Sequence, residues 1–317
     1  MKYLITGFAG FVSRHFLNLL SKENKQVEVF GLDRNEPAFN LNHFKNITGR
    51  FLKTDLTDKE TILSVINSFK PDYILHLASA SSVQYSWQNP AESFLNNNGI
   101  FLALLDAVRD SGIKCRILST GSSDVYGISA NNNPQIKEDA ALNPASPYAA
   151  AKASQEMMAK IYTESFALDI IQTRSFAHFG AYQKENFVLA KFAKHLTQIK
   201  KGNQEAELIT GNIDVVRDMT DVRDVVKAYH LLLENGKPGS VYNVCSGQGR
   251  TLKTVIDIMQ KQLNLDVELK LDETLLRNGE ILSIIGSNEK IKTDTGWQPE
   301  ISFETAIADL LAYWNNI

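Results

Sequence analysis

The chain has 317 residues, 44% of them apolar and 22% charged, with a net charge of −3 and a pI near 6.1. That length suggests roughly two domains and enough apolar side chain for a core without metal or disulfide staples. The slightly acidic balance, with no long basic run, argues against nucleic acid and anionic membranes as main partners.

In chain order, β-rich runs alternate with helical patterns. Strands are expected at Lys2–Thr6, Val27–Leu32, Tyr73–Leu77, Lys114–Ser119 and Ile170–Arg174, with a further strand ahead of Asp55. Runs such as YILHL and CRILS are continuously apolar, as parallel strands covered on both faces are. Helices are expected at Gly10–Ser21, Asp58–Phe69, Pro90–Ser111 and Pro147–Phe166. The β–α order predicts an α/β fold, a doubly wound parallel sheet of Rossmann type. After about residue 176 come helices at Phe187–Ile199 and Thr220–Leu233, the second opened by Asp221, and a strand at Val241–Val244 that returns to the sheet. A helix (Leu252–Leu263), a short strand (Asp266–Leu271) and a final helix (Phe303–Trp314) close the chain. No single linker separates two halves. The expected division is therefore interwoven: residues 1–176 plus 213–245 as an NAD(P)-binding domain, and 177–212 plus 246–317 as a smaller α/β substrate lobe.

The N-terminal stretch MKYLITGFAGFVSRH carries two glycines at motif spacing, then Arg14 and His15, and has no small-residue cleavage site. It reads as structure rather than as a secretory leader. No run approaches the ~18 apolar residues of a membrane span, and the cytoplasm is the expected compartment. Cys115 and Cys245 lie far apart in apolar runs and outside any metal-ligand spacing, so both read as buried, inert thiols and no metal site is expected.

Gly7-Phe8-Ala9-Gly10-Phe11-Val12-Ser13 follows the first strand and opens the first helix, the context that a dinucleotide loop requires. Glycines let the backbone approach a pyrophosphate, and the helix N-terminus offers free N–H groups and positive dipole character. The third glycine of the usual fingerprint is replaced by Ser13, so the loop alone is also compatible with an ordinary strand-to-helix turn. Asp33 ends the second strand where an acid reaches the adenosine ribose. Its charge opposes a 2′-phosphate and favours NAD(H) over NADP(H), although Arg34 beside it could pair with that phosphate. Asp55-Leu56 sits where an adenine contact is expected, with helix capping as the alternative for Asp55.

The fifth strand ends in a serine-rich segment, Ser119 to Gly127, and some 20 residues later comes Ser146-Pro147-Tyr148-Ala149-Ala150-Ala151-Lys152. Pro147 suits a first helical turn. Tyr148 and Lys152 then fall at i and i+4 on one helical face. An ammonium beside a phenol favours phenolate and lowers the tyrosine pKa toward working pH. Such a tyrosine can exchange a proton with a carbonyl or carbinol oxygen while nicotinamide exchanges hydride. A strand-end serine can hold the same oxygen. Alone, YxxxK is a common surface pairing; joined to the serine cluster and the glycine loop it points to redox chemistry.

TGxxGxxS, Asp55-Leu56, His76-Leu77-Ala78, the GSSDVYG segment and YxxxK together resemble the extended short-chain dehydrogenase/reductase family over essentially the whole chain. Val216–Val225, Val241–Gly247 and Gly296-Trp297-Gln298-Pro299 resemble its group of GDP-mannose 4,6-dehydratases and GDP-4-keto-6-deoxy-D-mannose reductases. The resemblance implies Ser122 as catalytic serine, Tyr148 as acid/base and Lys152 as ligand of the nicotinamide ribose. It implies that Gly7, Phe8, Ala9, Gly10, Phe11, Val12, Asp33, Arg34, Asp55, Leu56, Leu77 and Ala78 hold the cofactor, with Asn96 positioning the helix. Ser122, Ser123, Asp124, Tyr148, Lys191, Arg217 and Arg277 would meet a nucleotide-diphosphate sugar. A homodimer through Pro90–Ser111 and Pro147–Phe166 is implied too, and His76 is expected only to pack. Two departures fall where substrate would sit: Ala177 replaces an asparagine, with Gly180-Ala181-Tyr182-Gln183 for a GPGQ-like turn, and Arg277-Asn278-Gly279 replaces Arg-Pro-Ser. The expected activity is reduction of a nucleotide-activated 4-keto-6-deoxyhexose by NAD(P)H. The alternatives are a 4,6-dehydratase or 4-epimerase with tightly held NAD, in which Asp124 would serve as base, or a non-catalytic dinucleotide sensor.

Overall fold

The structure, a computed structural model, describes residues 1–23, 25–132, 134–276 and 281–317. The first half runs β1 (Lys2–Thr6), α1 (Phe11–Leu20), β2 (Val27–Asp33), β3 (Ile47–Lys53), α2 (Lys59–Phe69), β4 (Tyr73–His76), α3 (Val83–Gln88), α4 (Pro90–Ser111), β5 (Arg116–Thr120), α5 (Pro147–Phe166) and β6 (Asp169–Ser175). The second half runs β7 (Ala177–Phe179), α6 (Val188–Lys200), β8 (Glu207–Thr210), β9 (Val216–Asp221), α7 (Val222–Asn235), β10 (Val241–Val244), β11 (Gly249–Thr251), α8 (Leu252–Leu263), β12 (Glu268–Leu271), β13 (Ser283–Ile284), α9 (Glu289–Thr295) and α10 (Phe303–Asn315).

Local chemistry sets the ends of the long helices. Asp58 caps α2, its Oδ1 accepting from the Thr61 N–H at 3.1 Å. Ser146 caps α5 by accepting from the Ala149 N–H at 3.1 Å, and Pro147 fills the first turn, where a missing N–H costs nothing. Pro90 opens α4 in the same way, and Gly112 ends it at φ +64, the left-handed conformation in which glycine carries no Cβ penalty.

Seven parallel strands form the main sheet in the order β10-β6-β5-β4-β1-β2-β3. Strand alternation divides its side chains between two cores. Tyr3, Ile5, Leu75, Leu118 and Ile171 pack with α1 and α7 on one face; Leu4, Ile74, Ile117 and Ile170 pack with α2 and α4 on the other. The order reverses between β1 and β4, and ligands of such sheets bind at the carboxyl ends beside that reversal. A further core joins α6, α8 and α10. Beside it, β9 pairs with β7, β11 and β13, while β8 and β12 form a separate two-stranded sheet.

The structure departs from the sequence reading at residues 216–221. Thr220 and Asp221, expected in a helix, complete strand β9, and the helix begins at Val222. Asp221 is its cap, as anticipated, with Oδ1 accepting from the Arg223 N–H at 2.7 Å. No described helix is long and apolar enough to cross a membrane.

Candidate active site

The site is assembled at the carboxyl ends of β1, β4 and β5. After β1 the chain turns at Gly7, whose φ of +71 favours glycine and whose position leaves no room for a side chain. An added Cβ would stand 2.7 Å from the Ala78 nitrogen and 2.8 Å from the Leu77 carbonyl carbon. The glycine turn is thereby pressed against the loop leaving β4. Gly10 precedes α1 and donates its N–H to the Gly7 carbonyl at 3.1 Å. The N–H groups that open α1, as in any helix, lack a carbonyl one turn back and face outward for an anion. Asp33 fixes this turn from β2, its Oδ2 accepting from the Ala9 N–H and its Oδ1 from the Asn35 N–H, both at 2.9 Å.

The expected cofactor residues divide by geometry. Phe8 can contribute only main chain, since its ring is fully buried over Gly31 and against Phe39 and Phe51. Phe11 opens α1 and stacks on His178, with ring centroids 5.8 Å apart. Val12 is half-buried, Leu56 and Ala78 are buried, and Arg34 is exposed. Asp55 is exposed and accepts from the Thr57 N–H at 2.9 Å and its hydroxyl at 2.8 Å. Capping of α2 thus falls to Asp58, not Asp55. The turn has the features a dinucleotide needs: a cradle that a Cβ would fill, free amides at a helix N-terminus, and an acid at the end of the second strand.

Tyr148 and Lys152 lie on the inward face of α5 and are both buried, with Ser122 buried beside them. Lys152 donates from Nζ to the Thr120 carbonyl at 2.8 Å, and the Thr120 hydroxyl in turn donates to the His76 carbonyl at 2.9 Å. The ammonium stands 6.0 Å from the centroid of the Tyr148 ring. The Ser122 hydroxyl lies within hydrogen-bonding reach of the phenol, and Asp124 stands close enough to act on it through its charge. Burial, reinforced by the Asp124 carboxylate, holds the Tyr148 phenol well above its usual pKa. Burial also pushes Lys152 down to about 8. The sequence reading expected an ammonium to lower the tyrosine. In the protein itself loss of water sets both shifts, raising the phenol and lowering the ammonium.

Of the residues expected at substrate, Ser122, Ser123, Asp124 and Tyr148 are brought together. Lys191 lies exposed on α6, near enough to Asp272 for their charges to interact. Arg217 is half-buried on β9, with Nη1 donating to the Val216 carbonyl at 2.9 Å. Arg277 lies outside the described residues. His76 is buried against Phe101, 2.8 Å from the Thr6 hydroxyl, and burial lowers its pKa to about 3. Cys245 is buried, whereas Cys115 is only partly so; burial raises both thiols, that of Cys115 to about 12.

Sequence reasoning missed several partners. Asn96 is half-buried, and it is Asn97 that ties α4 to the loop after β4. Its Oδ1 accepts from the Ala80 N–H at 2.7 Å and its Nδ2 donates to the Ala80 carbonyl at 3.3 Å. His178 and Gln155 were missed as well. The run Asn96-Asn97-Asn98 was visible, but helical phase decides which member turns inward.

Comparison with known proteins places this geometry. The family model for GDP-mannose 4,6 dehydratase matches residues 4–310. The chain belongs to that family. GDP-6-deoxy-D-mannose reductase of Pseudomonas aeruginosa is 33% identical over 315 residues, covering 99% of this chain and 97% of the relative. GDP-mannose 4,6 dehydratase 2 of Arabidopsis thaliana is 31% identical, covering 96% of this chain and 84% of the relative. Among solved structures, Pseudomonas aeruginosa RMD complexed with NADPH superposes with a TM-score of 0.86 at 28% identity, covering 100% of this chain and 99% of the other. A UDP-glucose 4-epimerase from Thermotoga maritima gives 0.88 at 25% identity over the same shares. The fold is thus shared by reductases, dehydratases and epimerases of nucleotide sugars, the group that the sequence resembles.

Proposed function

We propose that this chain is an NAD(P)H-dependent reductase of a nucleotide-activated 4-keto-6-deoxyhexose, GDP-linked like the sugars named for the Pseudomonas aeruginosa reductase and the Arabidopsis thaliana dehydratase. The observation that carries the reading is the buried Ser122–Tyr148–Lys152 group beside the Gly7–Gly10 turn. Gly7, Ala9, Gly10, Phe11, Val12, Leu77 and Ala78 would line the cofactor, with Arg34, Asp55 and Leu56 toward its adenosine end. When bound, the reduced nicotinamide supplies hydride to the C4 carbonyl carbon. Tyr148 gives its proton to the oxygen, so that C=O becomes CH–OH, and Ser122 orients that oxygen. The raised pKa of Tyr148 supports this direction, because a protonated phenol is the form a reductase needs at the start of turnover. Lys152 would hold the ribose, and Lys191 and Arg217 would lie toward the nucleotide sugar; Arg217, and Arg277 outside the described residues, are proposed as ligands of its diphosphate, since guanidinium groups suit phosphate oxygens.

Asp33 supports NADH over NADPH, since its carboxylate would face a 2′-phosphate. One observation favours a second reading, a 4,6-dehydratase: Asp124 stands close enough to Tyr148 to raise its pKa and would be placed as a base. We further propose the interwoven division, 1–176 plus 213–245 against 177–212 plus 246–317. Because β9 pairs outside the main sheet, α7 and β10 are the parts of 213–245 that complete the nucleotide-binding core. Exposed Phe94, Leu95, Met157, Ile161 and Phe166 on α4 and α5 support a homodimer through those helices.

The test is incubation with GDP-4-keto-6-deoxymannose and NADH or NADPH, following cofactor absorbance and identifying the sugar. Oxidation of NADH in preference to NADPH, with a 6-deoxyhexose product, is expected. If neither cofactor is consumed there, and a parallel incubation with GDP-mannose shows loss of water from that sugar, the dehydratase reading replaces this one.

A further inference from the structure

The inner face of α5 carries a buried amide that the chemistry above does not use. Gln155 follows Lys152 by one turn, is 2% exposed, and donates from Nε2 to the main-chain carbonyl of Asn97, in the middle of α4, at 2.5 Å. Its own carbonyl oxygen is buried without a partner among the described residues. A leucine would pack at such a position without burying an unmet acceptor, so packing alone gives no account of the amide.

The bond has a definite mechanical consequence. Asn97 is fully buried and grips both the N–H and the carbonyl of Ala80, and the Ser79 hydroxyl donates to its Oδ1 at 3.3 Å. Ala80 and Ser79 continue the loop whose Leu77 and Ala78 press on Gly7. One continuous set of bonds therefore runs from α5 through Gln155 and Asn97 to the loop against which the glycine turn rests. A second link returns to the same strand ends from the other side, through Lys152, the Thr120 carbonyl, the Thr120 hydroxyl and the His76 carbonyl. Lys152 and the cofactor loop are thus held at a fixed separation by two struts, and only the Lys152 strut belongs to the reacting groups.

We infer that Gln155 is a positioning residue: through Asn97 it sets the distance between the Tyr148/Lys152 face of α5 and the loop that receives the cofactor. This rests on the dinucleotide-binding part of the function proposed above. Loss of the Gln155 donor frees the loop to shift against α5, so cofactor binding and hydride transfer both suffer although no group touching the cofactor has changed.

The experiment compares wild type with Gln155→Leu, Asn97→Ala and the double variant, and includes Gln155→Met as a second apolar replacement of nearly equal length should the leucine variant fail to fold. NADH dissociation constants are measured by fluorescence titration, kcat with GDP-4-keto-6-deoxymannose, and stability by urea titration. Each single variant is expected to weaken NADH binding roughly tenfold, the scale of one lost positioning hydrogen bond. The double variant should be no weaker than the worse single one, because both act on a single strut. NADH affinity within twofold of wild type in a folded Gln155 variant, whatever its urea midpoint, overturns the inference; so do fully additive effects in the double variant. A wild type that binds NADH but reduces no ketosugar counts against the reductase reading alone, and the NADH affinities still decide the role of Gln155.

Discussion

Replacing Lys152 by methionine should make the protein more stable at neutral pH while removing its activity. The ammonium is withdrawn from water and its pKa falls from 10.5 to about 8. A folded-state pKa below the unfolded one means that the unfolded chain holds the extra proton between those values, so wild-type stability rises with pH across that window. Below pH 8 the full cost applies, about 3 kcal/mol at 1.36 kcal/mol per pKa unit. Methionine removes that cost but orphans the Thr120 carbonyl, which Lys152 reaches at 2.8 Å, giving back about 1–2 kcal/mol. Lys152→Met is therefore expected to be about 1–2 kcal/mol more stable than wild type at pH 7. That advantage should shrink by about 2 kcal/mol by pH 10. Urea titrations of both proteins at pH 7, 8, 9 and 10 measure this directly, since groups that titrate alike in both cancel in the difference. A difference that stays constant across the series, or a methionine variant clearly weaker at pH 7, would refute the assignment of Lys152 as a buried, desolvated cation.

Tyr148→Phe keeps the ring that fills the site and deletes only the proton donor. NADH oxidation with the ketosugar should fall by about 10²–10⁴-fold, while NADH affinity stays within about threefold, the low end of what one neutral hydrogen bond contributes; comparable losses in both would remove Tyr148 from the acid role. Gly7→Ala forces a Cβ to within 2.7 Å of the Ala78 nitrogen at a φ of +71. Overpacking and left-handed backbone strain together should cost about 2–4 kcal/mol, read as a lowered urea midpoint, and unchanged stability would show that the turn and the β4 loop are not in contact.

The long elements of the nucleotide-binding half were readable because each combines a strong period with punctuation: Pro147 after Ser146, Pro90 opening α4, Gly112 after it. Strand β3 could be inferred but not bounded, since ITGRFLK is an edge strand with threonine, arginine and lysine on its exposed positions. Strands β7, β11 and β13 are two or three residues long and exist because β9 pairs with them, information that no local window carries. The same pairing pulls Thr220 and Asp221 out of the helix that their periodicity suggested. At the site, Tyr148 and Lys152 were legible from i,i+4 spacing, but their proton affinities were not, because burial depends on everything packed around α5. Asn97 escaped for another reason: three consecutive asparagines in one helix offer three directions, and only tertiary packing selects one.

Strand β10 lies at the edge of the main sheet against β6, yet it is made from residues 241–244, far along the chain. Helix α7, which supplies Val225, Tyr229, Leu232 and Leu233 to one face of that sheet, also comes after residue 221. On the ribosome, the first six strands are therefore synthesised long before their edge and one of their covering helices exist. The nascent chain must keep an open strand and an uncovered apolar face until about residue 245 has emerged, with the segment that builds α6 already threaded outward. A fragment cut at residue 176 would carry every glycine of the cofactor turn and both members of the Tyr148/Lys152 pair, and would still lack the parts that close its core.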